Sequence, residues 1–454
     1  MELAGYGGGT MTGVTRAAVK ASSTGAGQVP TIAFERERFE LSCGAILLVS
    51  RRRGAPVFSV RAQIRGGASR DPAGAEGTAF LAGRFVDQGT ADHTEEEIAN
   101  LLEPVAGELV GDANGVGGSV AGPAWKQLLG IIAETLIKPS YPDEKVARQK
   151  GRLLSQLQVE QDDPRVQGTR NFRRLVYGDH WLGRAAYGTF ESVSGIEASH
   201  LREHHSKHWI ARRCVIAVCG DVDGKRVRAL LEELLRDWTP GTPFDPEAST
   251  FPRLGKRVAA FRAKRKQVHV FLGHLGIPRS HPDYAALTVM DHVLGAGPGF
   301  TNRVSRKLRD EQGLAYSVYS DIHSSAGVLP GTFVAYIGTS PENVPTAVAG
   351  ILREIRTMQK KRVPLPELDV AKNYLIGSFV LGFERSGRRA SYMIAEEIHK
   401  LPADNLLTLP GKFAAVTPDD VLRVARENLH PDSCCLSTAG PTPKRELRAM
   451  LDGS

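Results

Sequence analysis

The stretch SHLREHHSKHW, residues 199–209, contains His200, Glu203 and His204 in the order H-x-x-E-H. On a helix, His200 and His204 lie one turn apart on the same face, with Glu203 beside them. Two imidazoles in this arrangement can hold zinc, and the carboxylate can deprotonate the water that the zinc binds. The spacing therefore raises the hypothesis of zinc-dependent hydrolysis.

The same stretch also contains His205 and His208, which is more histidine than a zinc pair requires. His200, His204 and His208 recur every four residues and so follow one face of a helix. We expect an exposed, histidine-rich helix on which these side chains can bind an adventitious metal. A self-sufficient enzyme using this helix is the alternative, and metal analysis with His200→Ala and His204→Ala controls would decide it.

The composition limits the class of protein. The 454 residues are 41% hydrophobic and 24% charged, as in soluble globular proteins, and their number predicts two or more domains. No apolar run approaches the roughly 18 residues that a membrane span needs. The net charge of +8 comes from scattered basic residues, so nucleic acid is not an expected partner. The first 30 residues lack the apolar core of a secretory signal, so we expect a cytoplasmic protein, with periplasm or an organelle left open.

The chain contains an internal repeat, which indicates a duplicated architecture. An alternating strand, a Gly/Pro turn and a helix begin at Val57, and the same order begins again at Val268. Two helices around a Pro-containing turn recur, as does a helix followed by a Cys-containing strand. The paired segments are residues 57–90 and 268–297, 128–154 and 348–376, and 200–221 and 420–441.

The repeat predicts an α+β fold of two homologous layered α/β domains. Each half has strands at its start, middle and end with helix pairs between them, which favours mostly antiparallel sheets. We predict a disordered tail over residues 1–30 and domains over 31–238 and 258–445. The Pro-rich, weakly periodic segment 239–257 is predicted to be the linker.

Several passages together resemble the pitrilysin/insulysin family of zinc peptidases. They include RGGASRDPAGAEGTAF, YGDHWLGRAAYGTFESV, CVIAVCGDVD and GAGPGFTNRVSRKLRDEQGLAYSVYS, within a similarity running from about Phe34 to Pro441. The nearest branch resembles the mitochondrial processing peptidase, the bc1-complex core proteins and the bacterial two-subunit peptidases. The resemblance implies two layered halves that close around a peptide.

The resemblance places the family's zinc helix at GTAFLAGRFVDQGT, residues 77–90. Active members read H-x-x-E-H over the five positions from Phe80 to Arg84. Here Phe80 replaces the first histidine, Gly83 replaces the general-base glutamate, and Arg84 replaces the second histidine. A phenylalanine cannot coordinate zinc, and an arginine brings a permanent cation to the place of a dication. We therefore expect an ordinary amphipathic helix packed on the sheet.

The resemblance places the third zinc ligand, a glutamate, on a later helix of the same half. The matching position is Gln156, or Ser155 if the register shifts by one residue. Gln149 matches a second acidic position of the family. A neutral amide is a poor ligand for zinc. We thus expect no catalytic residue in this groove, and no metal or other cofactor bound by this chain.

The segment KLRDEQGLAYSVYS in the second half matches the family's arginine–tyrosine pair at Arg309 and Tyr316. The resemblance implies that this pair holds the substrate backbone and helps to stabilise the developing oxyanion. A guanidinium and a phenol are both donors, and donors aimed at a carbonyl oxygen gain strength as charge develops. The alternative to a substrate-binding role is a structural arginine stacked on a loop tyrosine.

We predict a zinc-less, non-catalytic subunit of a heteromeric peptidase. A homologous partner would carry the intact zinc motif, and this chain would supply Arg309 and Tyr316 to an unfolded peptide held between the two subunits. The chain would then be no enzyme by itself, although it belongs to a metalloendopeptidase. The alternative is a structural or peptide-binding homologue without a role in hydrolysis, similar to the bc1 core proteins.

Overall fold

The computed structural model describes residues 13–16, 34–244, 249–298 and 301–452. Within these residues the strands form one sheet of seven and one of five. The strands are β1 (Gly13–Arg16), β2 (Glu35–Glu40), β3 (Ile46–Arg51), β4 (Val57–Ile64), β5 (Glu108–Asp112), β6 (Gly115–Ala121), β7 (Cys214–Gly220), β8 (Arg257–Arg262), β9 (Val268–Leu275), β10 (Ser317–Asp321), β11 (Thr332–Thr339) and β12 (Cys435–Gly440).

The two sheets share one order of five strands. The first runs β1-β2-β3-β7-β4-β6-β5, and its last five strands correspond one by one to β8-β12-β9-β11-β10 of the second sheet. In both sheets the described pairs are antiparallel except β3 with β7 and β8 with β12, which are parallel. The prediction of two homologous, layered and mostly antiparallel halves is confirmed.

Helices connect the strands and cover the sheets. The α-helices are α1 (Thr78–Arg84), α2 (Glu95–Leu102), α3 (Trp125–Ile137), α4 (Asp143–Gln161), α5 (Pro164–Tyr177), α6 (Phe190–Ser194), α7 (Ala198–His208), α8 (Gly224–Leu234), α9 (Tyr284–Asp291), α10 (Val344–Lys360), α11 (Leu365–Phe383), α12 (Ser386–Ile398), α13 (Asn405–Ala415), α14 (Pro418–Asn428) and α15 (Lys444–Asp452). Two π-helical segments, His292–Ala296 and Ser305–Glu311, lie in the second half.

The halves exchange one helix each. α3 and α8 contact one side of the first sheet, and α12 from the second half packs on its β7, β4 and β3. In return, α5 from the first half packs on β12, β8 and β9 of the second sheet, which α10 and α15 also contact. Each sheet therefore lies between helices of both halves, which gives the two halves a common packing interface.

A glycine lets α5 approach the second sheet closely. A Cβ atom at Gly168 would lie 2.7 Å from the ring of Phe271. The hydroxyl of Ser437 on β12 donates to the carbonyl oxygen of Gly168 at 2.9 Å. This exchanged helix is thus seated by direct contact between its backbone and the sheet.

Ion pairs fasten the other exchanged helix, α12. Buried Arg36 of β2 lies 2.5 Å from Glu396, and Arg38 makes two hydrogen bonds to Glu397 at 2.9 and 3.1 Å. Burial raises the pKa of Glu396 to about 7, although the charge of Arg36 acts in the opposite direction. The contact between the halves thus combines apolar packing with charges removed from water.

Two observed elements depart from the predicted domain limits. In the predicted disordered tail, Gly13–Arg16 forms a strand that pairs antiparallel with β2, while residues 1–12 and 17–30 lie outside the described residues. At these four residues the ladder with β2 supplies backbone partners that a tail would lack. α15 continues past residue 445 and packs on β8 and α10. The other limits stay predictions.

Candidate functional site

Helix α1, which carries Phe80, Gly83 and Arg84, begins at a cap made by Asp71. The Asp71 carboxylate accepts the backbone N–H of Gly77 at 2.8 Å and that of Ala79 at 2.6 Å. These N–H groups belong to the helix start, where a helix cannot supply their partners itself. Burial raises the pKa of Asp71 to about 6, although both hydrogen bonds oppose the shift.

The side chain of Phe80 packs into an apolar cluster. Its ring centroid lies 6.0 Å from that of Tyr187, and Leu153 and Leu154 of α4 belong to the same cluster. Hydrocarbon thus occupies the position where the resemblance places a zinc-binding imidazole. Phe80 packs here as part of an amphipathic helix.

The other two degenerate positions of α1 face the edge of the first sheet. Gly83 is buried, whereas Arg84 is exposed and its Nη1 donates to the carbonyl oxygen of Gly111 on β5 at 3.3 Å. Arginine stays protonated at any working pH, so this guanidinium repels a dication instead of binding it. Neither position supplies a lone pair to a metal.

The predicted third position, Gln156, is exposed on α4. Its amide nitrogen donates to Glu160 at 2.8 Å, one turn along the same helix. Glu160 is itself held by Arg170 at 3.0 Å and by the hydroxyl of Tyr187 at 2.9 Å. The carboxylate of Glu160, one turn after Gln156, is therefore already paired with the guanidinium of Arg170.

The neighbouring candidates on α4 are also poor metal ligands. The Ser155 hydroxyl donates to the carbonyl oxygen of Gly151 at 3.0 Å, and the Gln149 amide lies 3.5 Å from that of Gln88. Amides and aliphatic hydroxyls seldom bind zinc in proteins. The residues at the implied zinc site do not fit the metal.

Helix α7 places the three residues of the H-x-x-E-H pattern in different environments. His200 and Glu203 are exposed, whereas His204 is buried. The Nδ1 atom of His200 accepts the backbone N–H of Glu197 at 3.0 Å and so caps its own helix. No described group of potential metal ligands contains these residues. A self-sufficient zinc site at α7 gains no support from this geometry.

The expectation of an exposed histidine-rich helix is wrong for His204 and His205, which are each 6% exposed. The ring of His204 lies 4.6 Å from that of His208, and the ring of His205 lies 5.0 Å from that of Trp209. Burial lowers the pKa of both His204 and His205 to about 3. A neutral imidazole packs like a small aromatic ring, which is why residue type alone misled the prediction.

Arg309 and Tyr316 line the same cleft in the second half, which has a volume of about 910 Å³. Arg309 lies in the second π-helical segment, with Nε 2.9 Å from an oxygen of Asp310. Tyr316 directly precedes β10, and its side chain is 90% exposed. The structure thus brings the predicted pair to one surface. Tyr319 and Tyr374 also line the cleft.

Sequence reasoning missed a charged cluster beside this cleft. Asp291, Asp321 and His323 are the one group of three potential metal ligands in the described part of the chain. The fully buried Asp291 accepts hydrogen bonds from the Ser320 hydroxyl at 2.7 Å, the Ile322 N–H at 2.9 Å and His323 Nδ1 at 3.0 Å. Because these donors already use its oxygens, we interpret the cluster as a structural hydrogen-bond network.

The histidines of the cleft titrate differently. Burial opposes the charge of His323, but the hydrogen bond to Asp291 and the charges of Asp291 and Asp321 raise its pKa. Burial lowers the pKa of His292, whose ring lies 5.4 Å from that of His323 and 5.7 Å from that of Tyr374. The one indication of the Asp291–Asp321–His323 cluster in the sequence is an aspartate, Asp291, within the apolar run of α9.

Comparison with known sequences identifies the family. The family described as "Peptidase M16 inactive domain" matches residues 195–375. An "uncharacterized zinc protease" of Streptomyces coelicolor is 30% identical over 71% of this chain and 70% of its own length. The chain belongs to the peptidase M16 (pitrilysin) family. The resemblance predicted from the sequence is therefore confirmed. Another M16 relative, called a "non-peptidase homolog" in Helicobacter pylori, is 25% identical over 71% of this chain and 75% of that protein.

Solved structures show that the fold is that of M16 proteins. A peptidase M16 inactive domain from Pseudomonas fluorescens superimposes with a TM-score of 0.83 at 24% identity, covering 90% of this chain and 98% of that one. A chain of complex III2 from Candida albicans gives a TM-score of 0.74 at 16% identity, covering 91% and 99%. In the described residues no helix is long and apolar enough to span a membrane.

Proposed function

We propose that this M16 chain is the zinc-less subunit of a heteromeric peptidase and supplies Arg309 and Tyr316 to a peptide held against a zinc-bearing partner. The observation that carries the proposal is the exposure of Tyr316, whose side chain is 90% exposed at the rim of a cleft of about 910 Å³. An aromatic ring exposed at the rim of a cleft gains free energy when a ligand buries it, so Tyr316 is suited to contact a bound peptide.

The cleft suits an extended peptide backbone. Arg309 offers guanidinium N–H groups and Tyr316 a phenol, and both are donors for peptide carbonyl oxygens. Tyr319 and Tyr374 add aromatic surface for side chains. Because the positions of the first-half groove supply no zinc ligands, an activated water must come from another polypeptide. The zinc and the general base are accordingly proposed to belong to the partner.

The test is reconstitution with a homologous chain that carries an intact H-x-x-E-H motif. Mixing the two chains should raise cleavage of an unfolded fluorogenic peptide above that of the partner alone. Arg309→Ala with Tyr316→Phe should lower the activity of the mixture by about 100-fold, the usual cost of losing oxyanion donors. Arg306→Ala removes an exposed arginine one turn earlier in the chain and should leave the rate unchanged.

A structural or peptide-binding role without hydrolysis is the second candidate. The similarity to a protein called a "non-peptidase homolog" favours it. It predicts a stable complex of the two chains with no gain in peptide cleavage. The same mixing experiment, followed by size-exclusion chromatography, separates the two candidates.

A further inference from the structure

The outer edge of the first sheet lies against α1. β5 is the last strand of this sheet, and in the described residues no strand pairs with its outer side. An edge of this kind normally offers unpaired N–H and C=O groups to which an extended peptide can add as a further strand. α1 instead contacts β5 along this edge.

Side chains already occupy both backbone groups of Gly111 in β5. Its N–H donates to the carboxylate of Asp87 at 3.1 Å, and its carbonyl oxygen accepts from Arg84 at 3.3 Å. Since both partners come from α1 and the turn after it, both groups of Gly111 point away from β6. Arg84 is the residue that replaces the second zinc-binding histidine.

Backbone N–H and C=O groups alternate in direction along an antiparallel strand. This alternation shows how many outward-pointing groups of β5 stay available to an added strand. Backbone groups of successive residues point to opposite sides of a strand, so Leu109 shares the outward direction of Gly111. Glu108, Val110 and Asp112 point inward to β6, opposite Ser119, Gly117 and Gly115. Of the two outward residues that β5 offers to an added strand, one is therefore already satisfied within the chain.

The backbones of α1 and β5 also leave no room for a peptide between them. A Cβ atom at Gly83 would lie 1.9 Å from the carbonyl oxygen of Asp112. A Cβ atom at Gly111 would lie 2.3 Å from the carbonyl oxygen of Gly83. The position that carries the general-base glutamate in active relatives can thus hold only glycine while this contact exists.

We propose that Arg84 and Asp87 close the β5 edge to strand addition, so that a peptide engages this chain through the Arg309–Tyr316 cleft and not as an added strand of the first sheet. Peptide binding at the cleft rests on the proposed function, whereas the closure of β5 is independent of it. Arg84, at the position implied for the second zinc-binding histidine, then has a role of its own: with Asp87 it closes the edge beside the implied zinc position.

Hydrogen exchange of the full-length chain tests the closure directly. In an Arg84→Ala, Asp87→Ala variant, the amide of Gly111 should exchange roughly tenfold faster, because it loses a charged acceptor. Asp92→Ala with Lys138→Ala removes an exposed ion pair of the same half with the same change in charge, and should leave Gly111 unchanged. Equal exchange of Gly111 in the native chain and the first variant would overturn the closure.

A photo-crosslinking arm tests where the peptide lies. The probe is a fluorescein-labelled 12-residue peptide of alternating Val and Thr flanked by lysines, and benzoylphenylalanine replaces either exposed Val110 of β5 or Ser324 of the cleft. We expect crosslinks from position 324 in the native chain, and from position 110 only after Arg84 and Asp87 are removed. Crosslinks from position 110 in the native chain contradict the proposal. Absence of crosslinks from 324 contradicts the proposed function, while the exchange of Gly111 still judges the closure.

Discussion

The two halves place a helix against the outer strand of their sheet in the same way. In the first half, Gly83 of α1 lies against Asp112 of β5. In the second half, Gly295 of the π-helical segment 292–296 lies against β10, where an added Cβ would be 2.4 Å from the N–H nitrogen of Ser320. β5 and β10 hold equivalent positions in the strand order. The duplication has kept this contact in both halves.

The chemistry beside the contact differs between the halves. The first half carries Arg84 and Asp87, which bind the backbone of β5 at the outer edge of the sheet. The second half carries a fully buried acid, Asp291, and keeps a cleft open beside it with Arg309 and Tyr316 at its surface. A conserved backbone contact can thus support a closed edge in one copy and an open cleft in the other.

The largest effect is expected from the buried acid. Asp291→Ala removes the acceptor of three hydrogen bonds from a fully buried site, and should lower the free energy of unfolding by about 3 kcal/mol. Asp87→Ala, in the half-buried clamp of the first half, should cost about 1 kcal/mol. Urea unfolding of both variants measures the difference. Equal losses of unfolding free energy would show that Asp291 and Asp87 contribute equally to stability.

A smaller loss is expected from filling the glycine contact of α1. Gly83→Ala would force β5 away from the helix, and overpacking of this kind costs about 2 kcal/mol. Gly151→Ala in α4 is the matched control, since its Cβ would meet nothing within 4 Å. There, alanine should stabilise the helix by about 0.5–1 kcal/mol. Equal urea midpoints for the two variants would contradict the close packing of α1 on β5.

The duplication could be predicted from the sequence. Val57 and Val268 begin equivalent central strands, because alternation and turn residues are local signals that survive divergence. Phe80 and Arg84 could be assigned since their chemistry excludes a zinc ligand wherever they lie. Tyr316 was predicted as a site residue through its motif, but its exposure depends on what packs around it.

Features that depend on tertiary packing could not be predicted. The packing of α5 and α12 on the sheet of the other half could not be predicted. Each helix has an ordinary amphipathic pattern, and this pattern does not indicate which sheet the helix covers. His204 and His205 are polar by type but are buried, and the ring of His205 lies 6.0 Å from that of Tyr141, which precedes α4. Gly83 looked like a lost glutamate, whereas the structure shows that β5 lies where the side chain would begin.

The buried histidines of α7 should make the chain sensitive to acid. The pKa of His204 is about 3 in the folded chain and about 6.5 when unfolded, so the unfolded state binds the extra proton between these values. Stability is therefore lost as the pH falls through 6.5, by about 1.4 kcal/mol at pH 5.5. His204→Phe should lose that much less than the native chain between pH 7.5 and 5.5.

Tryptophan fluorescence can follow this change selectively. The four tryptophans of the chain, Trp125, Trp181, Trp209 and Trp238, all precede the predicted linker, so their signal reports on the first half. His200→Gln, which changes an exposed histidine of the same helix, is the control and should keep the native pH dependence. The same pH dependence in His204→Phe and the native chain would mean that His204 binds its proton at the same pH in the folded and the unfolded chain.

The smallest effect on stability is expected at the residue proposed to matter most for binding. Tyr316→Ala should change the free energy of unfolding by less than about 0.5 kcal/mol, because a 90% exposed ring has little packing to lose. Tyr336→Ala provides the contrast, since that ring is 2% exposed, stacks on Tyr319 and hydrogen-bonds His269 at 2.9 Å. A Tyr316→Ala chain that unfolds at the native urea concentration but loses peptide binding would assign the ring to binding. A clearly lowered midpoint would instead give Tyr316 a structural role and remove the main support for the proposed function.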